Sequence, residues 1–320
     1  MLRYILKRLV NYIIMLFLAV SAAYLLAASS LNARSVYAVR QPPIDPEVLD
    51  NMLYRWNLND KTPLMERYWT WLKGVVLHWD WGFTEAGKSV NADMAIKMGV
   101  SIRLMLIGTL GGLLIGIIIG AWTATRQYRV SDRTATFLAL FIVCTPTFVI
   151  GITTQIIAIQ INRAVGVTLF TFVGEGGPDL GNRLLHLLLP SLTLLLVGAA
   201  SLSRIQRNLM LDSLGEDYVR TARAKGLPKS KAVMKHALRT ALIPTGTYVA
   251  FSVATMFLGA TFTETVFSFP GLGQYAVLSI GQANVNGIVA TTAFAGVCVL
   301  IGAVLSDFAV AMLDPRVRLS

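Results

Sequence analysis

The sequence predicts an all-α, polytopic membrane protein with six transmembrane helices, and three observations carry that prediction. Apolar residues make up 55% of the 320 positions and charged residues only 14%, the balance of a chain dissolved in lipid and not of an ordinary soluble enzyme. Six runs reach the roughly 20 apolar residues a membrane crossing needs: Leu9–Leu31, Leu104–Ala124, Thr134–Ile161, Leu184–Leu202, Ala241–Thr263 and Gly287–Leu313. The third observation is that Lys and Arg gather in alternate loops. Arg3, Lys7 and Arg8 precede the first run, and Arg126, Arg129 and Arg133 join the second to the third. Nine basic residues from Arg204 to Arg239 join the fourth to the fifth, and Arg316 and Arg318 follow the sixth. By the positive-inside rule these loops and both termini are cytoplasmic. The net charge of +11 then reflects this bias and attraction to anionic lipid, a simpler reading than nucleic-acid binding.

The first run follows basic residues, as a secretory signal does, but it exceeds the 7–15 or so apolar residues of a signal core and is expected to stay attached. Residues 1–31 therefore form the cytoplasmic N-terminus and first span, 32–98 an extracytoplasmic cap, and 99–320 a five-helix core containing the cytoplasmic loop 204–240. The cap holds Trp56, Trp69, Trp71, Trp79 and Trp81 with Tyr54 and Tyr68. Such residues either pack a small domain or lie at the lipid interface, where amphipathic rings collect, or meet a partner. Within it, Gly82-Phe83-Thr84-Glu85-Ala86-Gly87-Lys88-Ser89 matches the phosphate-loop pattern letter for letter. A working phosphate loop follows a buried strand and opens a helix; no α/β pattern surrounds this one, so it reads as coincidence.

Gly108, Gly112, Gly116 and Gly120 recur every fourth residue in the second span and strip one helical face of side chains, so that another helix can approach closely, inside the subunit or at a subunit seam. Pro146 and Pro190 permit kinks in the third and fourth spans. Ionisable residues at membrane depth are few: His186, Glu264 and Asp307, with Asp307 expected to pair with Arg204 or Arg207 and Arg103 to snorkel to the interface. No chain of carboxylates crosses the core, which argues against an ion-driven secondary transporter. His78, His186 and His236 fall on different sides, so no shared metal site is expected. Cys144 and Cys298 lie inside spans and imply no disulfide framework.

The densest charge lies in Glu216 to Pro244, which reads as two short helices. Gly226 ends the first in a left-handed cap and Pro228 sits in the first turn of the second. The stretch Asp217-Tyr218-Val219-Arg220-Thr221-Ala222-Arg223-Ala224-Lys225-Gly226, followed by Leu227 and later His236-Ala237-Leu238-Arg239, resembles the cytoplasmic loop of the permease subunits of binding-protein-dependent ATP-binding-cassette importers, in their dipeptide/oligopeptide branch. Arg220 stands where the general pattern has glutamate. Two further segments carry the resemblance: Glu264 to Gly273 and the closing Leu313-Asp314-Pro315-Arg316. The cap segments Trp56–Asp60, Tyr68–Leu72 and Trp81–Phe83 are similar to the branch's outer loop. Departures are Ala28–Asn32 in place of a Pro-Gly-Asp-Pro turn, Ala303 in place of a usual Asn, and Ala283-Asn284-Val285-Asn286 in place of an Asp-Tyr-Pro-like run, where contact with substrate or binding protein is expected.

The resemblance implies a type I importer permease fold and one half of a translocation pathway for di- or oligopeptides, in the cytoplasmic membrane of a prokaryote. Nickel or another small solute is the alternative cargo. It implies as partners a second, similar permease, two cytoplasmic ATPases and an extracytoplasmic substrate-binding protein. No cofactor is expected on this chain, since ATP and Mg belong to the ATPases, and no catalytic residue is expected. The residues implied to meet the ATPases are Asp217, Tyr218, Thr221, Ala222, Arg223, Ala224, Lys225, Gly226 and Leu227, with Ala222 and Ala224 offering a smooth face. The substrate-binding residues are not legible.

Overall fold

The computed structural model describes residues 2–38 and 41–313 and, among them, contains helices and one isolated bridge, Phe83 with Ser89. The closing signature from Asp314 onward, with Arg316 and Arg318, and the side chain of Arg3 lie outside what it describes. Five helices are long and apolar enough to cross a membrane, and a sixth crossing is a bent pair, Lys229–Val253 with Thr255–Val266, meeting at 52°. The chain divides into two compact units, 1–102 with 268–300, and 103–267 with 301–320.

In the first unit, α1 (Leu2–Ser30) is followed by a 3-10 turn (Ala33–Tyr37), α2 (Pro46–Arg55) and α3 (Leu64–His78). Asp45 caps α2 by accepting from the Glu47 amide at 2.8 Å, with Pro46 at the first helical position. Tyr24 of α1 stacks on Trp71 of α3 with ring centroids 4.6 Å apart, and Leu53, Leu58, Tyr68, Val285 and Val289 close the core around them. The aromatic residues of 32–98 therefore divide. Trp71 and Tyr68 are buried and Trp56 and Trp81 half-buried, whereas Trp69, Trp79 and Tyr54 are exposed.

In the second unit the second span is part of a longer continuous helix, Val90–Ala124, composed of α4 (Val90–Met105), a π-helical turn (Leu106–Leu110) and α5 (Gly111–Ala124). It begins well before residue 98, and its residues up to 102 belong to the first unit. The third span is not one helix. α6 (Val130–Cys144) and α7 (Thr147–Val165) are separated at Thr145, which is extended (φ −92°, ψ 126°). Pro146 lacks the amide that would continue the ladder, and its ring excludes the helical conformation from the residue before it. Pro190, by contrast, lies inside the unbroken α8 (Leu180–Gly215), which carries the fourth span on by more than three turns.

After α9 (Asp217–Ala224) comes a path that is helical throughout: α10 (Lys229–Ala232), a π-turn (Val233–Ala237) and α11 (Leu238–Val266). The second helix of the basic hairpin is thus the beginning of the fifth span and is not short. Pro228 stands immediately before it. Two helices complete the chain, α12 (Leu272–Gly281) and α13 (Val285–Leu313).

Candidate functional site

The basic hairpin is built by a helix stop. The Gly226 amide donates to the Arg223 carbonyl at 3.0 Å and the Leu227 amide to the Ala222 carbonyl at 3.2 Å, the two bonds of a Schellman cap. Gly226 has φ +88°, a conformation that L side chains resist by about 1–2 kcal/mol. A methyl group there would touch nothing within 4 Å, so the glycine answers to backbone conformation and not to space. Leu227 and Ala222, the residues that the cap brings together, both turn inward onto a small core of Met210, Val219, Val233, Ala237 and Ala241.

That placement divides the two alanines expected to offer a smooth face. Ala222 is half-buried against this core, whereas Ala224 is exposed, and the exposed surface of α9 and its cap is Asp217, Tyr218, Arg220, Thr221, Arg223, Ala224, Lys225 and Gly226. Asp217 and Arg220 approach to 3.6 Å but are 95% and 73% exposed, so their pairing adds little. The exposed face is a polar and basic platform with one partly covered phenol, fixed from behind by apolar packing.

The glycine stripe lies against α8. An added Cβ would fall 2.7 Å from Leu194 Cβ at Gly108, 2.7 Å from the Leu195 carbonyl at Gly112, 3.0 Å from the Ala199 carbonyl at Gly116 and 2.5 Å from the Ser203 carbonyl at Gly120. Four successive turns therefore place helix backbone against helix backbone within this chain. Near this seam, Arg207 forks onto Asp132, Nε to Oδ1 at 2.6 Å and Nη2 to Oδ2 at 2.8 Å, and the Tyr128 amide donates to the same carboxylate at 2.9 Å. Arg207 is thus paired with Asp132. The signal available in the sequence was Asp132 itself, a lone acid inside the basic stretch 126–133. Arg103, expected at the lipid interface, pairs with Glu175.

On another side of α8 lies a cavity of about 370 Å³, bounded by α5 and its π-turn, the start of α7, α8 and α11. Thr109, Thr147, Ser201, Tyr248, Ser252 and Thr255 line it, among aliphatic residues and Phe251.

Two expected contact sites prove structural. Asn284 is fully buried; its Oδ1 accepts from the Gly287 amide at 2.9 Å, and its Nδ2 donates to the Tyr275 hydroxyl at 3.2 Å, so it caps α13. Asn286, also buried, donates to the Phe83 carbonyl at 2.8 Å. In the phosphate-loop look-alike, the Thr84 amide donates to the Lys88 carbonyl, the Lys88 amide to Thr84 Oγ1 and the Gly87 amide to the Thr84 carbonyl, so three amides of the loop are spent internally. A helix does follow, but α3 and a short turn precede the loop in place of a strand. Burial also pushes the Glu85 carboxyl above its ordinary value inside this loop.

Residues 112–319 match the family of binding-protein-dependent transport system inner membrane components. The chain is 43% identical, over 100% of both lengths, to the oligopeptide transport system permease protein OppB of Mycobacterium tuberculosis. It is 31% identical to the dipeptide transport system permease protein DppB of Bacillus subtilis, over 93% of this chain and 95% of that one. Against the oligopeptide transport system permease protein OppB of Escherichia coli the identity is 30%, over 99% of this chain and 100% of that one. A family match over residues 112–319, and relatives aligned over nearly their whole length, leave one conclusion: this chain belongs to the binding-protein-dependent transport system inner membrane components.

Proposed function

We propose that this chain is one of two similar permease subunits of a peptide importer driven by ATP. The observation that carries the reading is its full-length similarity to proteins named for oligopeptide and dipeptide transport, two of them at 31% and 43% identity. Both termini and the loop 204–240 are cytoplasmic, and 32–98 faces outward toward a substrate-binding protein, as the basic-loop asymmetry indicates. Two ATPase subunits hold ATP and Mg and dock on the exposed face of Asp217–Gly226. This chain performs no covalent chemistry.

The geometry suggests how force would pass. α9 is joined at one end to α8 and at the other, through Gly226, to the helical path that becomes α11. Displacing α9 as the ATPases close pulls on two spans at once, and the packed core behind Ala222 and Leu227 keeps it from hinging freely. The test is uptake of a labelled tripeptide by the complete transporter in liposomes. Gly226→Val is expected to leave the four-subunit assembly and the binding protein's docking intact and to lower uptake at least about tenfold. Gly226→Asn, which tolerates the left-handed conformation, should restore most of it. Wild-type uptake by the valine variant would remove this hairpin from the coupling path.

A further inference from the structure

We propose that the cavity beside α8 is where the cargo's main chain crosses the mid-membrane zone, and that its wall selects for neutral hydrogen-bonding backbone without regard to side-chain charge. The inference rests on the importer reading above and adds a site to it.

Three independent features point to the same place. The first is depth and polarity. Ser252 falls at the centre of the span Ala241–Thr263, Tyr248 one turn to one side and Thr255 just under a turn to the other, so α11 presents a hydroxyl-bearing stripe at the level of the hydrocarbon core. Tyr248 is 46% exposed and Phe251 64% exposed. Hydrocarbon cannot serve a phenol, so that stripe faces water or polar partners.

The second feature is broken backbone. The π-turn Leu106–Leu110 places Thr109 on the cavity, the interruption at Thr145–Pro146 places Thr147 there, and the 52° bend of the fifth span lies between Val253 and Thr255. Interrupted helices at membrane depth are tolerated where they line a cavity, and in transporters they mark where substrate is held.

The third is the chemistry of the wall. Among the described residues, no Asp, Glu, Lys, Arg or His lines the cavity. The Ser252 hydroxyl donates to the Tyr248 carbonyl at 2.8 Å, which commits its proton to the helix and leaves oxygen lone pairs toward the cavity. Thr255 is arranged in the same way, donating weakly to the carbonyls of Phe251 and Ser252. Such oxygens accept amide N–H groups, Tyr248 can donate to carbonyls, and Phe251 and Met256 receive apolar groups. About 370 Å³ falls within the size range of small-ligand sites. A wall of this kind binds what every peptide shares and carries no charge against which to discriminate.

The experiment uses the complete transporter in liposomes, with Cys144 and Cys298 replaced by serine and Ser252→Cys introduced. Charge is then added after folding, with either an ammonium-bearing or a sulfonate-bearing methanethiosulfonate reagent, both impermeant to lipid. The cysteine should react in at least one nucleotide state and be protected by saturating tripeptide. The sulfonate label should raise the uptake ratio of a cationic to an anionic tripeptide, and the ammonium label lower it, each by at least about threefold, as a single charge a few ångströms from the cargo requires. Absence of reaction in every nucleotide state, or equal ratios after both labels, overturns the proposal. A wild-type complex that hydrolyses ATP with its binding protein but takes up no peptide defeats the cargo reading instead; the reagent arm still decides the cavity, reactivity upholding a water-lined path and its absence ending it.

Discussion

Helix α8 is fastened on one side and loose on another. Toward α5 it meets four glycines at backbone contact, close enough that a methyl group at Gly120 would lie 2.5 Å from the Ser203 carbonyl. Toward part of α11 it borders an open volume of about 370 Å³ lined by apolar and hydroxyl-bearing residues. The contrast indicates where motion belongs. Close-packed backbones have no room for alternative arrangements, so α5 and α8 should travel as one body, whereas α11, packed on α8 through Ala241 and Met210 but bent and bordering the cavity farther along, has room there to change its angle.

The fastened side should break on the addition of a single methyl group. Gly112→Ala pushes a methyl to 2.7 Å from the Leu195 carbonyl and should cost about 1–3 kcal/mol, read as a fall in the melting temperature of the detergent-solubilised complex. Its neighbour Gly111, whose nearest atom would be 3.7 Å away, should accept alanine without loss. Gly259→Ala, the same change beside the cavity and also 3.7 Å from its nearest atom, should stay within about 0.5 kcal/mol of wild type. Equal losses at Gly112 and Gly259 would abolish the distinction between the two sides.

The Arg207–Asp132 fork sharpens the same comparison, because it ties α6 to the fastened region. Arg207→Leu leaves a carboxylate, 3% exposed, without its partner and should cost about 3 kcal/mol. Adding Asp132→Asn should recover a substantial part, which a double-mutant cycle on thermal stability would measure. Simple additivity would mean that the fork is not an energetic unit.

A smaller effect separates the seam from the 32–98 segment by pH. The seam glycines and their contacts on α8 include no carboxylate. Hydrogen bonds from Lys61 and Arg34, in contrast, hold the Asp50 carboxyl below its ordinary value of 3.8. For a depressed carboxylate the contribution is complete above the unfolded value and is lost as pH falls through the folded one. Pepsin cleavage between residues 46 and 61 should therefore increase only below about pH 4, and Arg34→Ala should move that onset upward. Cleavage independent of Arg34 would mean that the cluster does not hold this segment.

The sequence showed the spans and the hairpin because both depend on local signals. Apolar runs of sufficient length, basic loops between them, and a glycine where a helix must stop are readable one residue at a time. Pro146 announced an irregularity, but whether it bends or breaks a helix depends on what surrounds the freed carbonyls. The tertiary half was not legible. Ala222 looks like surface until the core behind it is seen, Asn284 and Asn286 look like contact residues until their buried partners are known, and Trp71 and Trp69 are indistinguishable by type although one is buried and the other exposed. The cavity was the least legible of all, since Thr109, Thr147, Ser201 and Ser252 come from four separate helices and share no motif.

The central claim, that the exposed face of α9 is where ATPase motion enters the membrane, can be tested by cross-linking. In a chain lacking Cys144 and Cys298, Ala224→Cys places a thiol on that face, and Ser89→Cys places one in the 32–98 segment. A short bismaleimide applied to the assembled transporter should join residue 224 to an ATPase subunit, with a yield that changes when ATP is trapped, and should leave residue 89 unlinked to either ATPase. A link from residue 89, or none from residue 224 in any nucleotide state, would contradict the account.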